Sequence, residues 1–323
     1  MLDILTIGDI KLDTFVVLDD ASVQCQLKMP DCQLCMEYGA KIDVDIVDSQ
    51  IAGSAPNVAT GLSRMKQKTA VVAPMGQDST RPLALEVLKK EKVGTQFVHV
   101  IKNEQSSYSV VLNFKGEKTI LTSHIEHDYQ LPKNLTKTNW VYVCEMGGGY
   151  EKLYQQLNQC SVKVCNHLAL NPGSIQIKER KKELLKLLKS TEILFVNRGE
   201  AQDLAQTQKD DVLHLSAKLH RMGAKTVVIT DGANGAHGFD GQKLFYCPIF
   251  PAKLIEATGA GDAFATGFLG AIINKQPIDQ ALKWGAVNSA SVIQYVGPTK
   301  GLLTISKIKK QLKERPSFKT KEV

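Results

Sequence analysis

The chain has no long uninterrupted apolar run, which excludes a membrane-spanning helix. Its longest hydrophobic stretches are broken by Gly, Asn or Lys well before the about 18 residues that such a helix needs. The N-terminal residues Met1-Leu2-Asp3-Ile4 also lack the basic region of a signal peptide. We therefore expect a cytoplasmic protein with no membrane contact.

Cysteine is sparse and irregularly spaced. The 323 residues include 7 Cys, an odd number that favours a reduced chain over a disulfide framework. Cys32 and Cys35 form a Cys-x-x-Cys pair behind Cys25, but an obvious fourth ligand for zinc is missing and the first His is His99. The simpler interpretation is that these three cysteines are small apolar residues of a surface segment. Whether their thiols bind a metal stays open.

The positive charge lacks interleaved aromatic residues. The net charge is +7 and aromatics make up 6% of the chain, with basic clusters at 178–189 and 307–321. The first cluster is typical of an amphipathic helix, and the second of a C-terminal helix followed by a flexible tail over 315–323. Neither resembles a groove for single-stranded nucleic acid, so we expect no specific nucleic-acid partner. The positive field would suit an anionic nucleotide.

Short apolar runs alternate with helical patterns, without internal repeats. This alternation predicts one α/β domain over 1–323, a doubly wound, mostly parallel sheet with helices on both faces. Two segments, 14–50 and 104–124, alternate polar and apolar residues without helical spacing. They predict a small β lid, with a hairpin that turns near Lys115-Gly116.

Residues 256–264, Glu-Ala-Thr-Gly-Ala-Gly-Asp-Ala-Phe, combine small residues with a carboxylate. Gly259, Ala260 and Gly261 let a phosphate approach the backbone. A helix predicted over 263–273 would point its positive end and unbonded N–H groups at that phosphate. Asp262 at the mouth of this anion site, kept ionised by the helix dipole, can take a proton from an attacking hydroxyl.

Other interpretations of this segment stay open. Asp262 could be an ordinary helix N-cap in a loop. A dinucleotide-dependent oxidoreductase fits less well, because Phe264 would spoil the close helix–strand packing of a G-x-G-x-x-G turn. A catalytically silent sugar-binding regulator would not need the Asp262 carboxylate.

The segment 256–262 resembles the signature D-T-x-G-A-G-D of the ribokinase (PfkB) family of carbohydrate kinases. Residues 52–59, Ala-Gly-Ser-Ala-Pro-Asn-Val-Ala, are similar to the family's N-terminal pattern G-G-x-x-x-N-x-A. Two patterns about 200 residues apart and in the right order are more specific than either alone. The resemblance implies a ribokinase-like fold and an ATP-dependent kinase. Its acceptor would be a hydroxymethyl group of a small sugar or, as the alternative, of a nucleoside.

The resemblance also implies a substrate site. Asp13 and Asn57 would hold hydroxyl groups, and Gly53 would let the sugar come close. Glu145, at the end of a predicted strand, would add a further polar contact. Turn or cap duty is the alternative for Asp13 and Asn57. The family's lid often forms the dimer contact, so a homodimer through the lid is expected.

Asn197 and Glu200 match the family motif N-x-x-E, which helps to place hydrated Mg²⁺ and the phosphates of ATP. One carboxylate suffices, because Mg²⁺ keeps several of its waters. Thr230, Gly232 and Gly235 match a turn that contacts ATP. Asn288 is expected near the adenine.

Several positions depart from the family pattern. Glu256 stands where the family has Asp, which commonly helps to bind a monovalent cation, so a role for K⁺ is open. Ala257 replaces the usual Thr, and Ala52 the first Gly of the N-terminal signature. Residues 54–56 lack a lysine, which weakens both a strict ribokinase assignment and a sugar-phosphate acceptor.

Overall fold

The computed structural model describes residues 1–18, 22–25, 32–114, 117–123 and 125–323. The strands are β1 Ile4–Ile7, β2 Lys11–Leu18, β3 Ser22–Cys25, β4 Cys32–Cys35, β5 Val44–Ala52, β6 Thr69–Gly76, β7 Gly94–Ile101, β8 Ser107–Phe114, β9 Glu117–Ser123, β10 Thr138–Val143, β11 Cys165–Leu170, β12 Ile193–Asn197, β13 Thr226–Thr230, β14 Ala236–Phe239, β15 Leu244–Cys247 and β16 Lys321–Glu322. The α-helices are α1 Ser54–Arg64, α2 Thr80–Lys90, α3 Glu151–Val164, α4 Ser174–Glu179, α5 Lys182–Leu188, α6 Arg198–Ala205, α7 Val212–Arg221, α8 Ala260–Ile273, α9 Ile278–Val292 and α10 Ile305–Glu314.

The main sheet has the order β16-β15-β14-β13-β12-β11-β10-β1-β6-β7. From β13 to β7 the neighbouring strands are parallel. β14, β15 and β16 extend one edge in antiparallel pairs. The fold class predicted from the sequence is therefore confirmed.

Alternate residues of the central strands enter two hydrophobic cores. In β10, Trp140 and Tyr142 join the core that contains α1, α8 and α9. Val141 and Val143 join the core that contains α3, α5, α6 and α7. Because successive strand residues point to opposite faces, helices cover the sheet on both sides.

The segments predicted to form the lid contribute a separate sheet in the order β5-β2-β8-β9, which we call the lid sheet or, for short, the lid. β2 pairs with β5 antiparallel and with β8 parallel. The expected hairpin joins β8 to β9, with Phe114 opposite Glu117, while the predicted turn at Lys115-Gly116 lies outside the described residues. Since β2 follows β1 after only three residues, the lid starts directly at the edge of the main sheet.

The cysteine-containing strands β3 and β4 form a two-stranded ladder. Cys25 and Cys32 are register partners there, and the Cys35 thiol is not in a disulfide. Among the side chains that the structure describes, no group of three or more His, Cys, Asp or Glu could hold a metal ion. Within the same ranges, no helix has the length and apolar character to cross a membrane.

Two segments differ from the sequence-based expectation. The basic helix expected over 178–189 is two helices, α4 and α5, because Arg180 adopts a left-handed conformation with φ 48°. The flexible tail expected over 315–323 instead packs on the body. Phe318 contacts the Phe250 ring at a centroid distance of 5.0 Å, and β16 pairs with β15. The tail packs on the body because burial of the apolar Phe318 is favourable and because β15 would otherwise leave an unpaired sheet edge.

Candidate active site

The carboxyl ends of the parallel strands bring the predicted site residues to one edge of the main sheet. Val143 is the register partner of both Ile7 and Leu170, so the segments after β1, β10 and β11 begin side by side. Asn197 is likewise the partner of Thr230. This edge is where ligands bind in open α/β sheets.

Helix α8 begins earlier than the sequence predicted. Its first residue is Ala260, and its N-cap is Gly259 in a left-handed conformation with φ 77°. Asp262 therefore lies inside the first turn, and the interpretation of Asp262 as an N-cap is wrong. The first intrahelical bond runs from the Ala263 N–H to the Gly259 carbonyl, at 2.8 Å. The preceding amides of Gly261 and Asp262 are thus available to an anion.

Space for that anion exists at Gly261. A methyl group added at this position would meet no heavy atom within 4 Å. At Gly259, by contrast, an added Cβ would collide with Pro298, and the positive φ favours glycine as well. The three small residues therefore serve different purposes: Gly259 makes the turn and Gly261 leaves the opening.

The Asp262 carboxylate is held by a residue of the other signature segment. Asn57 Nδ2 donates a hydrogen bond to Asp262 Oδ2 at 2.8 Å. Asn57 lies within α1, whose N-cap is Gly53, so its expected alternative role as a cap does not apply. The two signature segments thus meet at one carboxylate.

Burial raises the pKa of Asp262 above its ordinary value of 3.8. Hydrogen bonds from Asn57 and Ser54 oppose this rise, while the nearby Glu145 carboxylate adds to it. The sequence-based expectation that the helix dipole determines the ionisation of Asp262 therefore omits the larger effect, which is desolvation.

Asp13 and Asn57 present buried acceptor atoms. Their residues are 6% and 3% exposed, and Asp13 Oδ1 and Asn57 Oδ1 have no hydrogen-bond partner among the described residues. Asp13 lies inside β2, not in a turn. A buried polar atom without a partner is costly, so both oxygens are suited to a ligand that brings hydrogen-bond donors.

Lys11 is a site residue that sequence reasoning missed. Its Nζ lies 3.6 Å from Glu145 Oε2, and its side chain is 13% exposed. Burial lowers the pKa of Lys11, but Glu145, Asp13 and other carboxylates outweigh this effect and hold it above its ordinary value. The sequence feature that could have identified Lys11 is its position between Asp9 and Asp13, just after a buried strand.

The structure shows why residue 53 is a glycine, which the sequence did not reveal. Its φ is 115°, and an added Cβ would collide with the Asp9 carbonyl. The Asp9 carboxylate accepts hydrogen bonds from Tyr129 Oη and from the Gly147 N–H. Gly53 thus lets α1 approach the loop that carries Asp9, and this loop is tied to the segment after β10.

Asn197 and Glu200 form a reciprocal cap at the start of α6. Asn197 Oδ1 accepts from the Glu200 N–H at 2.9 Å, and Glu200 Oε2 accepts from the Asn197 N–H at 2.8 Å. Burial raises the pKa of Glu200. The cap uses one carboxylate oxygen, and the other is suited to a water of a hydrated cation.

The turn after β13 lies next to this cap. Gly232 and Gly235 have φ values of 51° and 90°, and a Cβ at Gly232 would meet nothing within 4 Å. Arg198, which the sequence left unassigned, forms ion pairs with Asp231 and with Asp210. These pairs fasten the turn and the loop before α7 to the start of α6.

Asn288 has a structural role in the packing of two helices. The side chain is fully buried, Nδ2 donates to the Ala263 carbonyl at 2.7 Å, and Oδ1 accepts from the Leu303 N–H at 2.9 Å. This amide fastens α9 to α8, and both of its polar atoms already have partners within the protein. Glu256 is 6% exposed, and its Oε1 accepts from the Thr258 N–H at 2.6 Å.

Comparisons with known proteins identify the family of this chain and proteins of similar fold. The model of the pfkB family of carbohydrate kinases matches residues 13–305. Fructosamine kinase FrlD of Bacillus subtilis is 25% identical over 76% of this chain and 84% of its own length. The Arabidopsis thaliana ribokinase, solved with ribose and ATP, has a TM-score of 0.79 at 20% identity, covering 97% of this chain and 99% of its own. The Burkholderia thailandensis nucleoside kinase, solved with inosine, has a TM-score of 0.77 at 17% identity, covering 98% and 99%.

Proposed function

Because this chain belongs to the pfkB family of carbohydrate kinases, we propose that it transfers the γ-phosphoryl group of ATP to a hydroxymethyl group of a small sugar. The observation that carries the proposal is the Asp262 carboxylate, held by Asn57 at 2.8 Å beside the unbonded amides at the start of α8. A base and an anion site within one helical turn are what phosphoryl transfer needs from the protein.

In the proposed reaction, Asp262 takes the proton of the acceptor hydroxyl as its oxygen attacks the γ-phosphorus. The bond from that phosphorus to the ADP oxygen breaks, and ADP leaves. The amides of Gly261 and Asp262 donate to the oxygens on which negative charge accumulates. Asp13 and Asn57 orient the acceptor through its other hydroxyl groups.

Glu200 and Asn197 are the proposed residues for hydrated Mg²⁺, which when bound neutralises charge on the phosphates of ATP. Thr230, Gly232 and Gly235 form the proposed ATP-contacting turn. Glu256, a buried carboxylate two residues before Thr258, is the proposed ligand of a monovalent cation such as K⁺.

A nucleoside is the second candidate acceptor. The fold is similar to that of a nucleoside kinase solved with inosine, at a TM-score of 0.77. A ribonucleoside offers the same vicinal hydroxyls and hydroxymethyl group as a pentose, so Asp13 and Asn57 suit both. The similarity to a fructosamine kinase, at 25% identity, makes substituted ketoses further candidate acceptors.

We also propose a homodimer in the cytoplasm. The lid carries exposed apolar side chains on β5 and β9, with Ile46 at 68% and Leu121 at 54% exposure. Apolar side chains in such number on one small sheet favour a protein contact. Cys144 and Cys247 are buried thiols outside any disulfide, which supports a reducing compartment.

An ADP-release screen against pentoses, hexoses, ketoses and nucleosides tests the activity. We expect one acceptor class to be phosphorylated, and Asp262→Asn to lower kcat by about 10²–10⁴-fold because it removes general-base catalysis. The control is Asp128→Asn, which removes an exposed carboxylate paired with Lys152 at 2.9 Å. More than a tenth of wild-type kcat in Asp262→Asn would contradict the assignment of the base.

A further inference from the structure

The acceptor end of the site contains more negative than positive charge. Lys11 Nζ lies 3.6 Å from Glu145 Oε2, and Asp13 lies two residues further along β2, on the same side of the strand. Asp262, which is held by Asn57, also lies close enough for its charge to act on Lys11. One ammonium group therefore faces three carboxylates.

Asp9 also lies close to Lys11, but its carboxylate oxygens are not offered to a ligand. Its two oxygens are occupied by Tyr129 Oη and the Gly147 N–H, and the residue is 4% exposed. The charges that a ligand meets are those of Lys11, Asp13, Glu145 and Asp262. When all four groups are ionised, negative charge is in excess, and Lys11 is already engaged by Glu145.

The polar atoms that await a ligand are acceptors. Asp13 Oδ1 and Asn57 Oδ1 are buried and have no partner among the residues that the structure describes. Hydroxyl groups can donate to them, whereas an ionised phosphate or carboxylate cannot. An anionic group at this end would face like charges and two acceptors it cannot satisfy, and such mismatches discriminate strongly.

We propose that this pocket takes a polyhydroxy acceptor without an anionic group, and that the Lys11–Glu145 pair is the element that rejects phosphorylated or carboxylated acceptors. The inference rests on the proposed kinase function and narrows its substrate class. Glu145 holds the Lys11 ammonium, so the cation is not offered to a ligand. Removing the Glu145 charge would have two effects. It would release the Lys11 ammonium from its partner, and it would reduce the excess of negative charge in the pocket.

The first test compares matched acceptors. D-Fructose with its 6-phosphate, and adenosine with its 3′-monophosphate, each retain a free hydroxymethyl group. Dissociation constants from calorimetry and kcat/KM from ADP release are measured for each member. We expect the uncharged member to be favoured by about tenfold or more. Equal or tighter binding of the phosphorylated member in both pairs would overturn the inference.

The second test uses variants. Glu145→Gln should shift the ratio of uncharged to phosphorylated acceptor toward the phosphorylated member by about tenfold, and Lys11→Met should shift it the opposite way. The control is Glu91→Gln, because Glu91 pairs with Arg64 at 2.6 Å with side chains of similar exposure, 28% and 25%. An unchanged ratio in Glu145→Gln would overturn the role of the pair, even if Lys11→Met does not fold.

The two proposals fail in different ways. Phosphoryl transfer without a preference for uncharged acceptors would leave the kinase function intact and overturn the charge-based selection. A binding preference without transfer to any acceptor would retain the selection and overturn the kinase function.

Discussion

The Asp262 carboxyl experiences opposing influences on its pKa. Burial raises the pKa, whereas the hydrogen bonds from Asn57 and Ser54 and the positive charge of Lys11 lower it. The net direction is upward. A base with a raised pKa accepts a proton more readily, but it is active only above that pKa. Lys11 therefore helps to keep Asp262 ionised at neutral pH.

A pH prediction follows at the residue scale. Since Asp262 must be deprotonated to act, kcat/KM for an uncharged acceptor at saturating ATP should fall as the pH drops through the raised pKa. Lys11→Met removes a charge that lowers this pKa, so the acid limb should move to higher pH. Lys152→Met, which removes an exposed lysine, should leave the limb in place. A limb that stays fixed or moves to lower pH in Lys11→Met would contradict the coupling.

At the element scale, the close contact of α1 with α8 brings the two signature segments together. A Cβ on Gly61 of α1 would collide with Thr266 Cγ2 of α8, so this glycine permits the short distance between the helices. Thr266 Oγ1 also donates to the Asp262 carbonyl at 2.7 Å. The same contact thus supports the position of Asp262 relative to Asn57.

We expect Gly61→Ala to separate the two helices. The free energy of unfolding should fall by about 1–3 kcal/mol, as for other overpacked cores. The value of kcat should fall by up to about 10²-fold, because a shift of about 1 Å misplaces reacting groups. Denaturant unfolding and ADP release measure the two effects.

The double variant Gly61→Ala/Thr266→Ser is the matched control. Serine lacks the Cγ2 atom that the new methyl group would meet and keeps the hydroxyl that bonds Asp262. Partial recovery of both stability and kcat is expected. Gly61→Ala with unchanged stability and kcat would show that the contact between α1 and α8 does not position the base.

At the scale of the whole molecule, the lid is attached to the loop that lies beside the anion site. Asp48 pairs with Lys300 at 2.8 Å, and Gln50 Nε2 donates to the Val296 carbonyl at 3.2 Å. Pro298 of the same loop lies directly against Gly259. A movement of the lid would therefore shift this loop and, through Pro298, the start of α8.

The proposed dimer is tested at this scale. Ile46→Lys places a charge on the exposed apolar side of the lid and should convert a dimer to a monomer in sedimentation velocity. Leu213→Lys is the control, because Leu213 is 49% exposed on α7, outside the lid. A wild-type protein that sediments as a monomer at all concentrations would contradict the dimer.

The sequence by itself determined the order and type of the main elements. Periods of hydrophobicity are local, so β1, β13 and the hairpin from β8 to β9 could be predicted from neighbouring residues. The resemblance to the ribokinase family then assigned Asp13, Asn197 and Thr230 to the same site as Asp262. The rule that ligands bind where parallel strands end supported Glu145 as a further member.

Only the tertiary structure decided which of these groups touch. The bond from Asn57 to Asp262 and the pair of Lys11 with Glu145 join residues far apart in the chain, and they depend on how helices and strands pack. Desolvation of Asp262 and the full burial of Asn288 are likewise properties of packing, because burial depends on every neighbouring element. Local patterns encode the elements, whereas distances, burial and charge balance in the site arise from their assembly.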